Sequence, residues 1–587
     1  MPPSSDAPSR APADDRAERL FGGAVFVASA AALAAYVAVF GRNVPYFEDW
    51  TLVPVLAGAQ AWSVPWLTEV TVAEHRFPLA KLALYPLWTA SGGDFRSALW
   101  LDAVIVVAVS LACMIVARRL RGRAAFADAF FPLTLLNVGH SENTLFFAQL
   151  FFVAPFALLM AVLLVVAAGR WPGRTGWVGA LALALVLLPG NGGIGMLVAP
   201  VLALWYAYAA WTMRTRPDGG RRDARILAAA VVATAVLCAL YFVGWHSLRP
   251  PVDEPRTWQR VAETAAQAAS LALGGGGRDF WRGLGPAVVV LGLATAAGLV
   301  GVARRRDDER LRATGLLACL AAAGAMALAI GIGRANAGPG AGLPARYALL
   351  MAPALVCVFF AAVLYGGRGA GRFVQVLLFA AACALIVPNA MLGVEYGRFR
   401  ADLADAVTDD IEAGVPPRAL AQRYLHKLLA ESTDLEARFA MLEAARWGPF
   451  AGVSTRDAGA APREIAVPVT IVGTHDVVVS DGVIRGVGSD PYVVLTLTKR
   501  AYVVGIRVGF TLETPQPGRA RLHAYWMNSG RNNFDPVRRN AIVEVPSSPD
   551  PQSATFWVHD TVDHLRLDPD TGASVFRITD VVLLAGE

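Results

Sequence analysis

Two groups of ionisable residues stand close together early in the chain. Glu48 and Asp49 lie between Phe47 and Trp50, and Glu74-His75-Arg76 follows after a short interval. Paired carboxylates are equipment for general acid–base chemistry. The interval between the groups holds Trp62 and Trp66, and the whole stretch Arg42 to Arg76 carries Pro45, Pro54 and Pro65. The prolines break any single long helix, and tryptophan is enriched where membrane meets water. The stretch therefore reads as a loop with short helices on the membrane surface, holding an acid pair against it. His75 has no second histidine nearby in sequence, so the triplet alone is not a metal site.

The elements that position these groups are apolar. Of 587 residues, 55% are hydrophobic and 17% charged, against about 25% charged in soluble proteins. Mean hydropathy is +0.47. Runs long enough to cross a bilayer occur at 20–40, 97–117, 124–139, 145–168, 176–190, 192–213, 225–246, 284–303, 311–332, 346–365 and 372–394, which predicts about eleven transmembrane helices. The pair around Pro189–Gly193 reads either as two spans with a tight turn or as one broken span. All but three of the 52 basic residues are arginine, and they cluster after every second span, for example at Arg118–Arg123, Arg304–Arg306 and Arg368–Arg372. The positive-inside rule makes that side cytoplasmic, with the N-terminus. The acid pair and everything after Gly397 then lie outside, so the tail is expected in the periplasm or at the cell exterior. The net charge of +6 needs no nucleic-acid partner.

Residues 1–19 are polar and expected to be disordered; they lack a cleavable signal pattern. A transmembrane domain over 20–397, with an outer loop at 41–96, is followed by a helical linker at 398–450. Residues 463–587 alternate in period two, as in Val493-Leu495-Leu497 and Ile506-Val508-Phe510, and predict a β-sandwich able to fold alone. Its Tyr492, Tyr525, Trp526 and Trp557 suit either a sugar platform or a core, more often a core. Asp568-Pro569-Asp570 reads as a turn. The five cysteines all sit in apolar runs and read as small buried hydrophobes. Gly274–Gly277 lacks the Lys-Ser/Thr ending of a phosphate loop and follows no strand, so it reads as a flexible hinge.

One span, an outer loop with paired acids, many further spans and an outer soluble domain: this order resembles the GT-C superfamily of membrane glycosyltransferases. The motifs are Glu48-Asp49-Trp50, Glu74-His75-Arg76, Glu142-Asn143 with Gln149, Asn191-Gly192, and Gly333-Arg334 with Arg346-Tyr347. The group more often has Asp-Asp-Trp, and Glu48 departs from that pattern. The resemblance implies inverting transfer of a hexose or pentose from a polyprenyl-phosphate donor to a glycan or lipid acceptor of the cell envelope. It makes Asp49 the general base and Glu48 its orienter or second acid. It makes Arg346 and Arg334 the phosphate ligands, with Tyr347 beside them, and Glu74, His75, Arg76, Glu142 and Gln149 further substrate contacts. No nucleotide cofactor is called for; a divalent cation is one option at the acids. The C-terminal sandwich would be carbohydrate-binding. The competing class is a transporter or flippase of lipid-linked sugars, which would place ionisable groups or broken helices near mid-membrane.

Overall fold

A computed structural model describes residues 12–71, 74–169, 173–215, 220–248, 256–429, 434–452, 462–515, 518–527, 534–569 and 573–586. Nineteen α-helices lie among them. In order they are α1 Pro12–Phe40, α2 Asp49–Leu56, α3 Val64–Thr68, α4 Pro78–Ala90, α5 Arg96–Arg121, α6 Phe130–Leu135, α7 Ser141–Thr144, α8 Leu150–Ala168, α9 Thr175–Leu187 and α10 Gly192–Arg214. They continue as α11 Arg221–Tyr241, α12 Trp258–Ser270, α13 Trp281–Arg305, α14 Arg310–Arg334, α15 Ala348–Tyr365, α16 Arg372–Ala384, α17 Ile386–Glu412, α18 Pro417–Tyr424 and α19 Leu435–Ala445. The chain divides into two compact units, one of residues 1–41, 62–91 and 95–400, the other of 42–61, 92–94 and 401–587.

The first unit is a multi-pass membrane fold. Among the described residues the chain has nine helices long and apolar enough to cross a membrane, and two shorter apolar segments, Phe126–Leu135 and Thr175–Gly190, at the two remaining expected positions. The first helix starts at Pro12, so residues 12–19 are its opening turns rather than disordered chain; residues 1–11 lie outside the described residues. The Pro189–Gly193 region resolves into a tight turn between α9 and α10, with Gly192 at φ +66°, a conformation glycine adopts without strain. Gly274–Gly277 is not a hinge. It is buried, Asn389 accepts the Gly276 N–H at 2.8 Å and donates to Leu273 O at 2.9 Å, and a Cβ on Gly276 would lie 2.6 Å from the Asn389 backbone nitrogen. The glycines are there because another backbone passes too close for side chains. The five cysteines are free; Cys113, Cys319 and Cys357 are buried, and Cys238 and Cys383 partly so.

The second unit joins α18, α19 and the end of α17 to a β domain. Its strands are β1 Arg463–Ala466, β2 Val469–His475, β3 Val477–Ser480, β4 Val483–Gly486, β5 Tyr492–Glu513, β6 Arg519–Met527, β7 Asn540–Pro546, β8 Ser548–Pro569 and β9 Val575–Ala585. Hydrogen bonds link all nine into one antiparallel sheet, ordered β3-β4-β9-β5-β8-β6-β7, with β1 on β9 and β2 on β5. The 22-residue strands β5 and β8 break register between Thr496 and Ala501 and again further along; such bulges bend a strand and let one sheet fold over its own core. That core alternates as expected, with Val493, Leu495, Ile506, Val508, Phe510, Leu522, Trp526 and Phe556 all buried. Ile465 and Ile471 on β1 and β2 stay 38% exposed.

Candidate functional site

The tryptophan stretch is shared between the units rather than lying as one surface loop. In the second unit, Trp50 is fully buried, its ring 4.9 Å from that of Phe439, and Arg438 donates to its carbonyl. In the first, Trp66 is 2% exposed under Lys81, whose Nζ donates to Trp66 O at 2.6 Å and stands 5.0 Å from the ring. Only Trp62 of the three is exposed, at 45%. Two of the three tryptophans thus fill cores.

Asp49 opens α2 and Glu48 stands at its N-cap position. Asp49 is 2% exposed, and its Oδ2 accepts the Tyr46 N–H at 2.9 Å. A carboxylate in a first helical turn is favoured by the helix dipole. Glu48 is half-buried, so it is the more accessible of the pair. Phe47 between them and Tyr46 takes φ 46°, a left-handed conformation rare for a bulky residue; its N–H donates to Leu428 O at 2.6 Å.

In the first unit, Glu74, His75 and Arg76 are clasped to the end of α11. Arg76 Nη1 donates to Tyr241 O at 2.7 Å and Val243 O at 2.9 Å, and Trp245 Nε1 donates to Glu74 O at 2.7 Å. A cation on the last carbonyls of a helix caps them and complements the dipole. Arg76 is 8% exposed and so positions the loop. His75 and Glu74 are more open, Nε2 to Oε1 4.0 Å apart. The glycine turn explains itself here: a Cβ on Gly193 would lie 2.6 Å from His75 Cε1, and one on Gly192 would collide with Phe77.

The second cluster of this unit forms where α7 meets the start of α15. Glu142 Oε2 accepts Arg346 Nη1 at 2.7 Å, and its Oε1 accepts the Ala345 N–H at 2.9 Å. Asn143 Nδ2 donates to Gln149 Oε1 at 3.0 Å and to Arg346 O at 3.2 Å. The Arg346 guanidinium stands 5.5 Å from the Tyr347 ring. Arg346 keeps 31% of its side chain exposed against 16% for Glu142, so a fixed cation stays partly accessible. One turn of α8 connects the two clusters: Phe151 stacks on Phe77 at 3.9 Å, and the neighbouring Phe152 ring lies 6.4 Å from Tyr347. Arg334, half-buried at the end of α14, makes no side-chain hydrogen bond or ion pair among the described residues.

Sequence reasoning passed over two buried polar groups beside these clusters. Lys81 is fully buried with Glu69 Oε1 at 3.4 Å, and burial lowers its pKa to about 8. His140, 1% exposed, has Nε2 2.8 Å from Thr134 O, which fixes the proton on Nε2; burial lowers its pKa to about 4. A lone histidine beside Glu142 was the available signal. Among the described residues no group of three His, Cys, Asp or Glu side chains could hold a metal ion. In the β domain, Trp526 is core, Trp557 lies under Arg418 at 3.6 Å, and Tyr492 and Tyr525 flank Arg566 at 3.6 and 5.0 Å. Asp568 belongs to β8 rather than to a turn, and holds Arg566 through two hydrogen bonds of 2.7 and 2.6 Å. Asp570 lies outside the described residues.

No family model matches the chain, and no curated protein matches it. Among solved structures it is similar to apo ArnT from Cupriavidus metallidurans, with 17% identity over 67% of this chain and 80% of that one, TM-score 0.38. The same protein bound to undecaprenyl phosphate gives 19% identity over 67% and 81%, TM-score 0.37. Arabinosyltransferase EmbB from Mycobacterium smegmatis gives 12% identity over 98% and 66%, TM-score 0.30.

Proposed function

We propose that the chain is a GT-C-type glycosyltransferase of the cell membrane that moves a hexosyl or pentosyl group from a polyprenyl-phosphate donor to an envelope glycan or lipid. The N-terminus is cytoplasmic and the β domain lies outside. The observation that carries this is the Glu142–Arg346 pair: a partly exposed guanidinium, oriented by a carboxylate at the end of an apolar helix, and linked through Phe151 and Phe152 of α8 to Phe77, which follows Glu74 and His75. A lipid-linked donor presents its phosphate at that depth, and a planar guanidinium fork matches phosphate oxygens.

The transfer needs two services from the protein. As the acceptor oxygen bonds to the anomeric carbon, the bond from that carbon to the phosphate oxygen breaks with inversion, and the phosphate keeps the electron pair. Arg346 stabilises that charge, with Arg334 as a second cation. The proton of the acceptor hydroxyl passes to a carboxylate, which we assign to Asp49, with Glu48 as its orienter. Glu74 and His75 contact the acceptor, and Arg76 positions them.

A radiolabelled polyprenyl-phosphate sugar, supplied with host envelope extract to the detergent-solubilised protein, tests this. Label should move to acceptor with the wild type, and Arg346→Ala should weaken capture of donor. A second reading has one observation behind it: Asp102 is fully buried in α5, and neither of its oxygens has a hydrogen-bond partner among the described residues. An intramembrane acid of this kind marks transport paths. Flipping of the labelled lipid in vesicles, without transfer, would establish the transporter instead.

A further inference from the structure

The far end of α15 carries a different feature. A cavity of about 270 Å³ opens between α13 and the α15–α16 pair, lined by Leu291, Gly298 and Val302 on one side and Ala362, Gly371 and Val374 on the other. Its polar wall groups are already satisfied. Thr295 Oγ1 donates to Leu291 O at 2.8 Å, and Tyr365 Oη donates to Glu309 Oε2 at 2.8 Å. The cavity is therefore apolar in character. A helix as exposed as α13, with Val290 at 65% and Leu293 at 67%, meets hydrocarbon in a bilayer. A crevice in such a wall loses dispersion contacts unless a hydrocarbon chain fills it.

The chain next to the residues that line the crevice is cationic. Arg304 and Arg305 follow Val302 on α13, and Arg368 and Arg372 bracket Gly371. All four are exposed, and none makes a side-chain hydrogen bond or ion pair among the described residues. The nearby acids do not neutralise them: Asp307 pairs with Arg310, and Glu309 with Arg312 and Tyr365. Asp308 alone is exposed beside them without such a partner.

We infer that this is a binding site for an anionic diacyl phospholipid, with an acyl chain in the crevice and the headgroup phosphate among the four arginines. The polyprenyl donor is a different lipid at a different place. Arg346 stands before the first residue of α15 and Gly366–Arg372 after its last, and 18 residues of α-helix span about 27 Å, close to the whole hydrocarbon thickness of roughly 30 Å. Basic clusters between helices at one membrane face are the usual recognition device for anionic headgroups.

The test uses the full-length protein in detergent, titrated with dioleoyl phosphatidylglycerol or dioleoyl phosphatidylcholine and read by native mass spectrometry and thermal shift. The wild type should bind the anionic lipid about tenfold or more tightly than the zwitterionic one. The quadruple variant Arg304→Gln, Arg305→Gln, Arg368→Gln, Arg372→Gln changes only exposed side chains; it should keep its fold and lose the preference. Gly298→Leu should weaken both lipids, because a Cβ there meets nothing within 4 Å and a leucine would fill the crevice. Equal binding of both lipids by the wild type would overturn the proposal. So would a preference that survives the quadruple change. One-for-one displacement of phosphatidylglycerol by polyprenyl phosphate would hand the crevice to the donor instead.

Discussion

Replacing Glu142 by Gln tests the proposed donor site at the point where its geometry is best defined. The Glu142 carboxylate accepts the Ala345 N–H at 2.9 Å and Arg346 Nη1 at 2.7 Å. A glutamine has one oxygen for these two donors, so its amide nitrogen must face the other one. A hydrogen bond to a charged group contributes about 1.5–3 kcal/mol. The 31% exposure of Arg346 lets water take over part of that, which leaves roughly 1–2 kcal/mol, or about 5- to 30-fold in donor affinity. The assay is transfer from a radiolabelled polyprenyl-phosphate sugar at varied donor concentration. Glu142→Gln should raise the donor KM by about tenfold, with kcat changed less than about threefold, since an orienting group acts mainly on binding. Arg346→Ala should raise KM further, and the double variant should resemble Arg346→Ala alone, because the carboxylate acts through the arginine. Additive losses in the double variant, or an unchanged donor KM, would refute that reasoning.

Four further outcomes are expected. Asp49→Asn should lower kcat by about 100-fold or more with donor binding little changed, and Glu48→Gln should fall between it and wild type; near-normal turnover in Asp49→Asn would reject the base. Burial of His140, which lowers its pKa to about 4, sets a pH signature. The unfolded chain takes up this proton near pH 6.5, so stability should fall as pH drops from about 6.5 toward 4 and level off below; thermal melts of His140→Gln should lack that component. A fragment starting at Ala401 should melt well above one starting at Arg463. The shorter piece loses the Arg418 stack on Trp557 at 3.6 Å and the Gln422 hydrogen bonds to Trp557 N at 2.8 Å and Thr555 O at 3.0 Å. A reporter active only in the cytoplasm should be silent when fused after Glu587, and activity there would reverse the assigned topology.

Much of the architecture was legible in the chain because membranes and sheets impose strict local rules. A helix that crosses lipid must satisfy its backbone internally and present some 20 apolar residues, so the long spans announce themselves. Period-two alternation likewise marks β5, since one face of the strand is buried. The Asn191-Gly192-Gly193 turn was visible as a break. Which kind of break it is depended on Phe77 and His75, which arrive from a distant segment and leave no room for a Cβ. The same holds for Gly274–Gly277, where glycine suggests freedom by itself but closeness once Asn389 lies against it. Trp50 and Trp66 have the composition of interface residues, yet each is buried because aromatic or cationic partners far along the chain, Phe439 for one and Lys81 nearer by for the other, close over it. Arg76 and Arg346 are equally charged in sequence. The carbonyls at the end of α11 occupy the first, and Glu142 holds the second with part of its side chain exposed, so only the tertiary arrangement separates a capping cation from a paired, accessible one. Side-chain chemistry and local periodicity can be read along the chain; the partner that finally spends each charge or covers each ring is set by contacts between residues far apart in it.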